Sequence, residues 1–172
     1  MLPPTGPRAH PFYSLEDTFL SVSFTDDVGI VRRIGVRHKV TGEGPPIVLV
    51  HGLMTSSYSW RYVLEALGRR YRVFAPDLVG AGLSDKPLDL EYSVDNVARF
   101  LAAYLRTISK SPVYLVGNSL GGLYGLRTVL SDGELVRRFV LMHAPGYPLV
   151  RAKLLSSIWS LPALGSAAAE VL

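Results

Sequence analysis

Four short apolar runs, joined by helical segments, constrain the fold of this chain more than any other feature of its sequence. They cover residues 47–50, 73–75, 113–116 and 139–142. Each run is continuous rather than alternating, which is typical of a parallel strand that is buried on both faces. Strands and helices that alternate at this spacing predict an α/β fold, in which a mostly parallel, doubly wound sheet is covered by helices on both faces.

Three helices are predicted between these strands. The first covers residues 58–67, with Ser56 or Ser57 as its N-terminal cap. Ser93 caps the second helix, in which apolar residues recur every three or four positions along one face. The third helix covers residues 120–130, directly after the third apolar run.

The region before residue 47 has a different character. Residues 18–24 and 28–40 are rich in β-branched and aromatic residues and flank a turn signal, so we predict an antiparallel pair of strands. The first twelve residues contain four prolines and no apolar signal sequence, which predicts a flexible arm over residues 1–16 and a cytoplasmic protein. Residues 17–147 are then expected to form the folded core domain.

Composition excludes several functional classes. With 48% hydrophobic and 19% charged residues, the chain has enough apolar material for a packed core and is not intrinsically disordered. The absence of cysteine excludes disulfides and thiolate metal sites, and with only four histidines we expect no metal.

The net charge of +4 does not indicate a nucleic-acid partner, because the basic residues are dispersed along the chain rather than clustered on one face. We interpret them as solvated loop and helix ends. Nor do we expect stable membrane insertion, because the apolar segment 154–172 contains both Pro162 and Glu170.

A G-x-S-x-G pattern carries the candidate chemistry. It consists of Gly117, Ser119 and Gly121, with a buried strand before it and an apolar helix after it. A serine on such a tight turn needs small neighbours, and the turn presents its hydroxyl at the positive end of the helix. Ser119 is therefore the candidate nucleophile; the alternative is a Gly-Ser turn that only starts a helix.

The end of the first apolar run, residues 47–50, supports the interpretation of Ser119 as a nucleophile. The loop after residues 47–50 and the residue after the nucleophile would supply the backbone N–H groups of Leu53 and Leu120 as an oxyanion hole. His51 lies in the same loop. We expect it to make a loop-organising hydrogen bond rather than to act as a base.

Three segments together resemble the α/β-hydrolase fold superfamily, over about residues 28–148. They are VLVHG at 48–52, DLVGAGLSDKP at 77–87 and GNSLGG at 117–122. The middle segment is similar to the loop of the cap-bearing subgroup that includes C–C hydrolases, epoxide hydrolases, haloalkane dehalogenases and haloperoxidases, although Ala81 stands where these commonly have His. Serine at position 119, rather than aspartate, argues against the dehalogenase and epoxide hydrolase branches.

The resemblance adds supporting positions to the site. Asp77 is expected to tie down its glycine loop rather than to do chemistry, and three aromatic residues, Tyr58, Trp60 and Tyr124, are either pocket-lining or core. The remaining motif positions expected to support the site are His51, Gly52, Gly117, Asn118, Gly121 and Gly122.

The catalytic triad is incomplete in this sequence. The family order is Ser, then Asp or Glu, then His. His143 is the only histidine after Ser119, and it follows the next strand, whereas the family base follows the last strand. His143 is thus a weak candidate base, and we expect the chain to be the N-terminal portion of a longer hydrolase, with residues 148–172 as the start of a cap.

The leading functional hypothesis is a serine hydrolase that needs no metal or organic cofactor. Its expected partner is a small apolar ester, or a ketone next to an activated carbon–carbon bond. The competing hypothesis is a catalytically incomplete fragment that acts as an interaction or dimerisation module, since the base is missing. Homo-oligomerisation is left open.

Overall fold

The structure, a computed structural model, describes residues 10–145 and contains one six-stranded sheet in the order β1-β2-β4-β3-β5-β6. The expected cap segment 148–172 lies outside the described residues. The strands are β1 (Asp17–Thr25), β2 (Val31–Thr41), β3 (Pro46–Val50), β4 (Arg72–Pro76), β5 (Val113–Asn118) and β6 (Val136–Met142). The α-helices are α1 (Leu64–Gly68), α2 (Val94–Ile108) and α3 (Leu120–Ser131), and short 3₁₀ helices span Pro11–Ser14, Ser57–Trp60 and Gly133–Leu135.

The sheet is parallel where the candidate site lies. Strands β4, β3, β5 and β6 run parallel, whereas β1 and β2 form an antiparallel hairpin that continues antiparallel onto β4. The chain moves outward from β3 to β4 and then returns past β3 to β5. This reversal of strand order makes the carboxyl ends of β3 and β5 a topological switch point, where open α/β sheets usually bind ligands.

Helices cover both faces of the sheet, as the sequence predicts. Alternate residues of β3 belong to opposite cores: Val48 and Val50 pack with α2, while Ile47 and Leu49 pack with Leu64 of α1. The larger core contains α2 and also receives side chains from α3. The α2 and α3 helices therefore lie on one face of the sheet, and α1 lies on the other.

The predicted helix over residues 58–67 is wrong as one element. Ser56 does cap its start by accepting a hydrogen bond from the N–H of Tyr58, but the first turn is the 3₁₀ helix Ser57–Trp60, and α1 begins only at Leu64. This stretch contains serine, aromatic and β-branched residues, which are weaker helix formers than Ala or Leu. No side chain caps the start of α1, so nothing local extends it backwards.

Two further boundaries differ from the prediction. Strand β2 starts at Val31 rather than at residue 28, because the carboxylate of Asp26 accepts hydrogen bonds from Val28 and Ile30 and holds the intervening residues in a turn. Residues 10–16 are expected to be part of a flexible arm, but Phe12 anchors this segment: its side chain is only 3% exposed and joins the core of α1. A buried aromatic side chain is enough to dock so short a segment.

Candidate active site

Ser119 occupies the sharp turn between β5 and α3. Its backbone has a φ of 54° and a ψ of −125°, a region that non-glycine residues rarely enter and that costs about 1–3 kcal/mol. The N–H of Ser119 donates a 2.8 Å hydrogen bond to the carbonyl of Met142 at the end of β6. The surrounding structure therefore holds the serine in a strained conformation, which is typical of functional sites.

Glycines allow this turn to close. A Cβ on Gly117 would lie 2.5 Å from the carbonyl oxygen of Gly121, and one on Gly121 would lie 2.3 Å from the carbonyl oxygen of His51. Gly122 would likewise bring a Cβ within 2.9 Å of the side chains of Leu141 and Ala144. The first turn of α3 thus packs directly on the backbone at the end of β3, and any side chain there would push the two apart.

The loop after β3 lies against the serine. A Cβ on Gly52 would be 3.0 Å from the Cβ of Ser119 and 3.3 Å from the carbonyl oxygen of Asn118. Leu53, the next residue, is 67% exposed. Leu120 is the first residue of α3, where an N–H group has no acceptor within the helix. The structure therefore brings the loop with one candidate donor next to the turn that carries the other.

His51 makes hydrogen bonds through both ring nitrogens. Its Nε2 accepts from the backbone N–H of Leu78 at 2.9 Å, so Nδ1 carries the proton and donates to the carbonyl of Gly52 at 2.8 Å. The ring is buried, and burial lowers its pKa. With both nitrogens engaged, His51 organises the loops after β3 and β4 and is not placed to act as a base for Ser119.

Asp77 fixes the loop that follows β4. Its Oδ1 accepts a hydrogen bond from the N–H of Ser57 at 2.8 Å, and its Oδ2 accepts from the N–H of Leu83 at 2.9 Å. Gly82 packs so closely on this carboxylate that a Cβ would lie 2.1 Å from Oδ2. The carboxylate is 1% exposed, so its oxygens face protein groups rather than a substrate.

A group of buried charges, which the sequence pattern does not by itself indicate, lies beside Asp77. Arg37 and Lys39 of β2 are 6% and 2% exposed, although we interpreted the basic residues as solvated. Both contact Asp17, and Arg37 also reaches Asp77. One signal was available: positions 37 and 39 are two apart in a predicted strand, so both side chains lie on the same face.

A cavity of about 580 Å³ opens beside the loop after β3. It shares Gly52 and Leu53 with the candidate oxyanion loop and extends between the loop after β4, α2 and α3. Of the three aromatic residues considered from the sequence, Tyr124 lines this cavity, whereas Trp60 and Tyr58 pack in the core on the other face of the sheet. Its apolar lining residues are Leu53, Met54, Leu78, Val79, Ala81, Val97 and Tyr124.

The structure does not pair His143 with the serine. His143 is exposed at the end of β6 and has a φ of 50°. Within residues 10–145, no hydrogen bond joins it to Ser119 or to a carboxylate. The described part of the chain also contains no group of three or more His, Cys, Asp or Glu side chains arranged for a metal ion, and none of its helices is long and apolar enough to cross a bilayer.

The serine at the switch point thus lies on a strained strand-to-helix turn, beside a glycine-containing loop, in a mostly parallel α/β sheet. The chain belongs to the alpha/beta hydrolase fold family, whose model matches residues 45–161, about two thirds of the sequence. The matched range contains the candidate nucleophile Ser119, the candidate oxyanion donors Leu53 and Leu120, and Asp77.

Relatives of this family differ in the reactions that their names describe. A 2-hydroxy-6-oxo-2,4-heptadienoate hydrolase of Pseudomonas putida is 39% identical over 121 residues, 69% of this chain and 44% of that protein. A haloalkane dehalogenase of Agrobacterium fabrum is 38% identical over 96 residues, 56% of this chain and 31% of that protein.

A solved structure shows the same fold. The meta-cleavage product hydrolase from Pseudomonas fluorescens IP01 matches with a TM-score of 0.66 and 30% identity, over 80% of this chain and 48% of that one. The chain therefore spans less than half the length of these proteins.

Proposed function

We propose that the protein is a serine hydrolase in which Ser119 is the nucleophile and the N–H groups of Leu53 and Leu120 form the oxyanion hole. The strained backbone of Ser119 at the switch point, with Gly52 directly against it, is the observation that carries the proposal. Strain of this kind is retained where a fixed side-chain position is needed.

The proposed reaction is acyl transfer to the serine. The Oγ of Ser119 attacks the substrate carbonyl carbon and loses its proton to a base, and the carbonyl oxygen becomes an oxyanion held by the two N–H groups. The bond to the leaving group then breaks, and the leaving group takes up a proton. Water hydrolyses the acyl-enzyme and regenerates the serine.

The base and its orienting acid are proposed to lie outside the described residues. His51 has both nitrogens engaged, and His143 has no hydrogen bond to the serine within residues 10–145. The relatives are more than twice as long as the segment that they share with this chain. We propose that the triad acid and histidine belong to the part of the protein that corresponds to the unmatched half of these relatives.

The cavity supports a small, largely apolar substrate. Most of its lining is apolar, and the polar side chains that line it are those of His51, Thr55, Ser56, Lys86 and Tyr92. An ester or a ketone next to an activated carbon–carbon bond fits this description. The resemblance to the meta-cleavage product hydrolase favours the carbon–carbon bond as the substrate bond. Serine rather than aspartate at position 119 disfavours dehalogenation.

One observation favours the competing function, an interaction module. Strand β6 pairs only with β5 among the described strands, and its side chains Val140 and Leu141 are about half exposed. An apolar strand at the edge of a sheet is a ready surface for another chain segment.

A fluorophosphonate probe distinguishes the two functions in the protein expressed from its complete reading frame. The wild type and Ser111→Ala, a control at an exposed serine, should both be labelled, whereas Ser119→Ala should not. Labelling of Ser119→Ala at the wild-type rate would overturn the nucleophile assignment. An unlabelled wild type would favour the interaction module.

A further inference from the structure

We propose that Arg37 is a positioning residue for the oxyanion hole: through Ser57 and Asp77 it fixes the loop that carries the N–H of Leu53. The inference rests on the proposed function, because it assigns that N–H a role in catalysis. Arg37 lies on β2, outside all three motifs that indicate the family, and nothing in its position along the sequence connects it with the site.

Arg37 directly contacts the loop over residues 51–57, which carries the N–H of Leu53 and is called the oxyanion loop below. The Nη1 of Arg37 donates to the hydroxyl oxygen of Ser57 at 2.5 Å and lies 3.3 Å from Oδ2 of Asp77. The same Asp77 carboxylate accepts the backbone N–H of Ser57 at 2.8 Å. Ser57 is therefore held through both its side chain and its backbone, and it is 0% exposed.

The other end of the loop is held by a second anchor. His51 accepts a hydrogen bond from the N–H of Leu78, the residue next to Asp77. Two consecutive residues after β4 thus hold both ends of the loop over residues 51–57. Between the anchors, Leu53 and Met54 are 67% and 65% exposed, so little packing fixes them from outside. The direction of the Leu53 N–H consequently depends on the two anchors.

A guanidinium suits this place better than a simple ammonium. Its Nε and Nη2 bind Asp17 at 2.7 Å and 2.5 Å, while its Nη1 faces Ser57 and Asp77. Together with Lys39, which binds Asp17 at 2.7 Å, the cluster contains two cations and two carboxylates and is electrically balanced. A lysine at position 37 would keep the charge but could not span both sides, because its donors lie on one atom.

Arg37→Lys therefore tests positioning at nearly constant charge. An oxyanion hole stabilises the transition state more than the bound substrate, so a displaced donor lowers kcat and leaves KM almost unchanged. For hydrolysis of a p-nitrophenyl ester by the protein from its complete reading frame, we expect kcat to fall by ~10- to 100-fold, below the full loss of one donor. KM should stay within about twofold of the wild type.

Arg32→Lys is the matched control. Arg32 lies on the same strand with a side chain that is 11% exposed, against 7% for Arg37, and it also binds two carboxylates, those of Asp26 and Asp89. None of these contacts the oxyanion loop. A general loss of stability would affect both variants, whereas the proposed role affects kcat only in Arg37→Lys. Equal kcat values in the two variants would overturn the proposal.

Hydrogen exchange gives a readout that does not depend on turnover. Deuterium uptake in the peptide spanning residues 51–57 should rise in Arg37→Lys and stay at the wild-type level in Arg32→Lys. Ser57→Ala, which removes only the hydroxyl acceptor, should raise it in the same peptide even if Arg37→Lys does not fold. Unchanged uptake in the folded variants would overturn the positioning role, whereas absent Ser119-dependent turnover with raised uptake would overturn the proposed function alone.

Discussion

Gly52 and Ser119 are in contact across two neighbouring strand ends: a Cβ on the glycine would lie 3.0 Å from the Cβ of the serine and 3.5 Å from its Oγ. The loop after β3 and the turn after β5 therefore approach so closely that even a methyl group at position 52 would require a shift. Two catalytic groups on different loops need such coupling, because a misplacement of 1 Å can cost about 100-fold in rate.

Gly52→Ala should impair the proposed chemistry more than the fold. The new methyl group would have to displace the Ser119 side chain or the carbonyl of Asn118, which lies 3.3 Å from it. We expect the rate of fluorophosphonate labelling to fall by ~10-fold or more, with a loss of stability of about 1–2 kcal/mol.

Gly133→Ala is the control for this prediction. A Cβ at position 133 meets nothing within 4 Å, so labelling and the melting temperature should both stay close to the wild type. The contact would have no catalytic importance if Gly52→Ala were labelled as fast as Gly133→Ala.

Gly121→Ala should instead destabilise the protein. Its Cβ would lie 2.3 Å and 2.4 Å from the carbonyl oxygens of His51 and Val50, which are backbone atoms at the end of a central strand. Relief requires α3 to move away from β3, and we expect a loss of about 3 kcal/mol or more. Urea unfolding would measure it, and a change below about 0.5 kcal/mol would show that the helix shifts at little cost.

Much of the fold could be predicted because its signals are local. All four continuous apolar runs lie within β3, β4, β5 and β6, and Ser93 caps α2 as expected, by accepting a hydrogen bond from the N–H of Asn96. Strands β3 and β4 are buried as the continuous runs predict, but the predicted burial of residues 139–142 is wrong: most of β6 is exposed, because β5 is its only partner among the described strands. A capping serine acts within one turn. These signals need no knowledge of distant partners.

The errors arise where distant partners decide the structure. Ser57 is bound by Asp77 and Arg37, each 20 residues away in sequence, and this tertiary contact accompanies the 3₁₀ turn where a single helix was predicted. The burial of Arg37 and Lys39 depends equally on Asp17, on a neighbouring strand. Local patterns contain no information on such pairings, so the contacts of Arg37 and Lys39 with distant carboxylates could not be predicted from the sequence.

Asn96→Ala should reveal what the hydrogen bonds of a buried amide side chain contribute to stability. Asn96 is 1% exposed; its Oδ1 accepts from the N–H of Asp27 at 2.8 Å, and its Nδ2 donates to the Asp27 carboxylate and to the carbonyl of Glu91. Loss of these bonds, which tie α2 to the β1–β2 turn, should cost about 2 kcal/mol.

The neighbouring residue provides the comparison. Asp95 pairs with Arg127, but both side chains are about half exposed, so Asp95→Asn should cost less than about 1 kcal/mol. Chemical denaturation of both variants measures the difference. Equal losses would mean that burial does not govern the strength of these contacts.

His38→Gln should flatten the pH dependence of stability. His38 is 3% exposed, and its Nδ1 lies 2.8 Å from the hydroxyl of Tyr104, whose pKa is raised by burial so that the phenol stays protonated. Burial, and then the charges of Arg37 and Arg72, lower the pKa of His38 from 6.5 to about 4. Between pH 6.5 and about 4, His38 is therefore protonated in the unfolded chain but not in the folded chain, and the folded state loses stability as the pH falls through this window.

Glutamine can accept the Tyr104 hydrogen bond but cannot titrate, so the stability difference between wild type and variant should shrink as the pH falls from 7 to 4. Urea unfolding at several pH values measures this difference, from which the other titrating groups, His51 and the carboxylates, cancel. Parallel stability curves for the two proteins would show that His38 does not resist protonation in the fold.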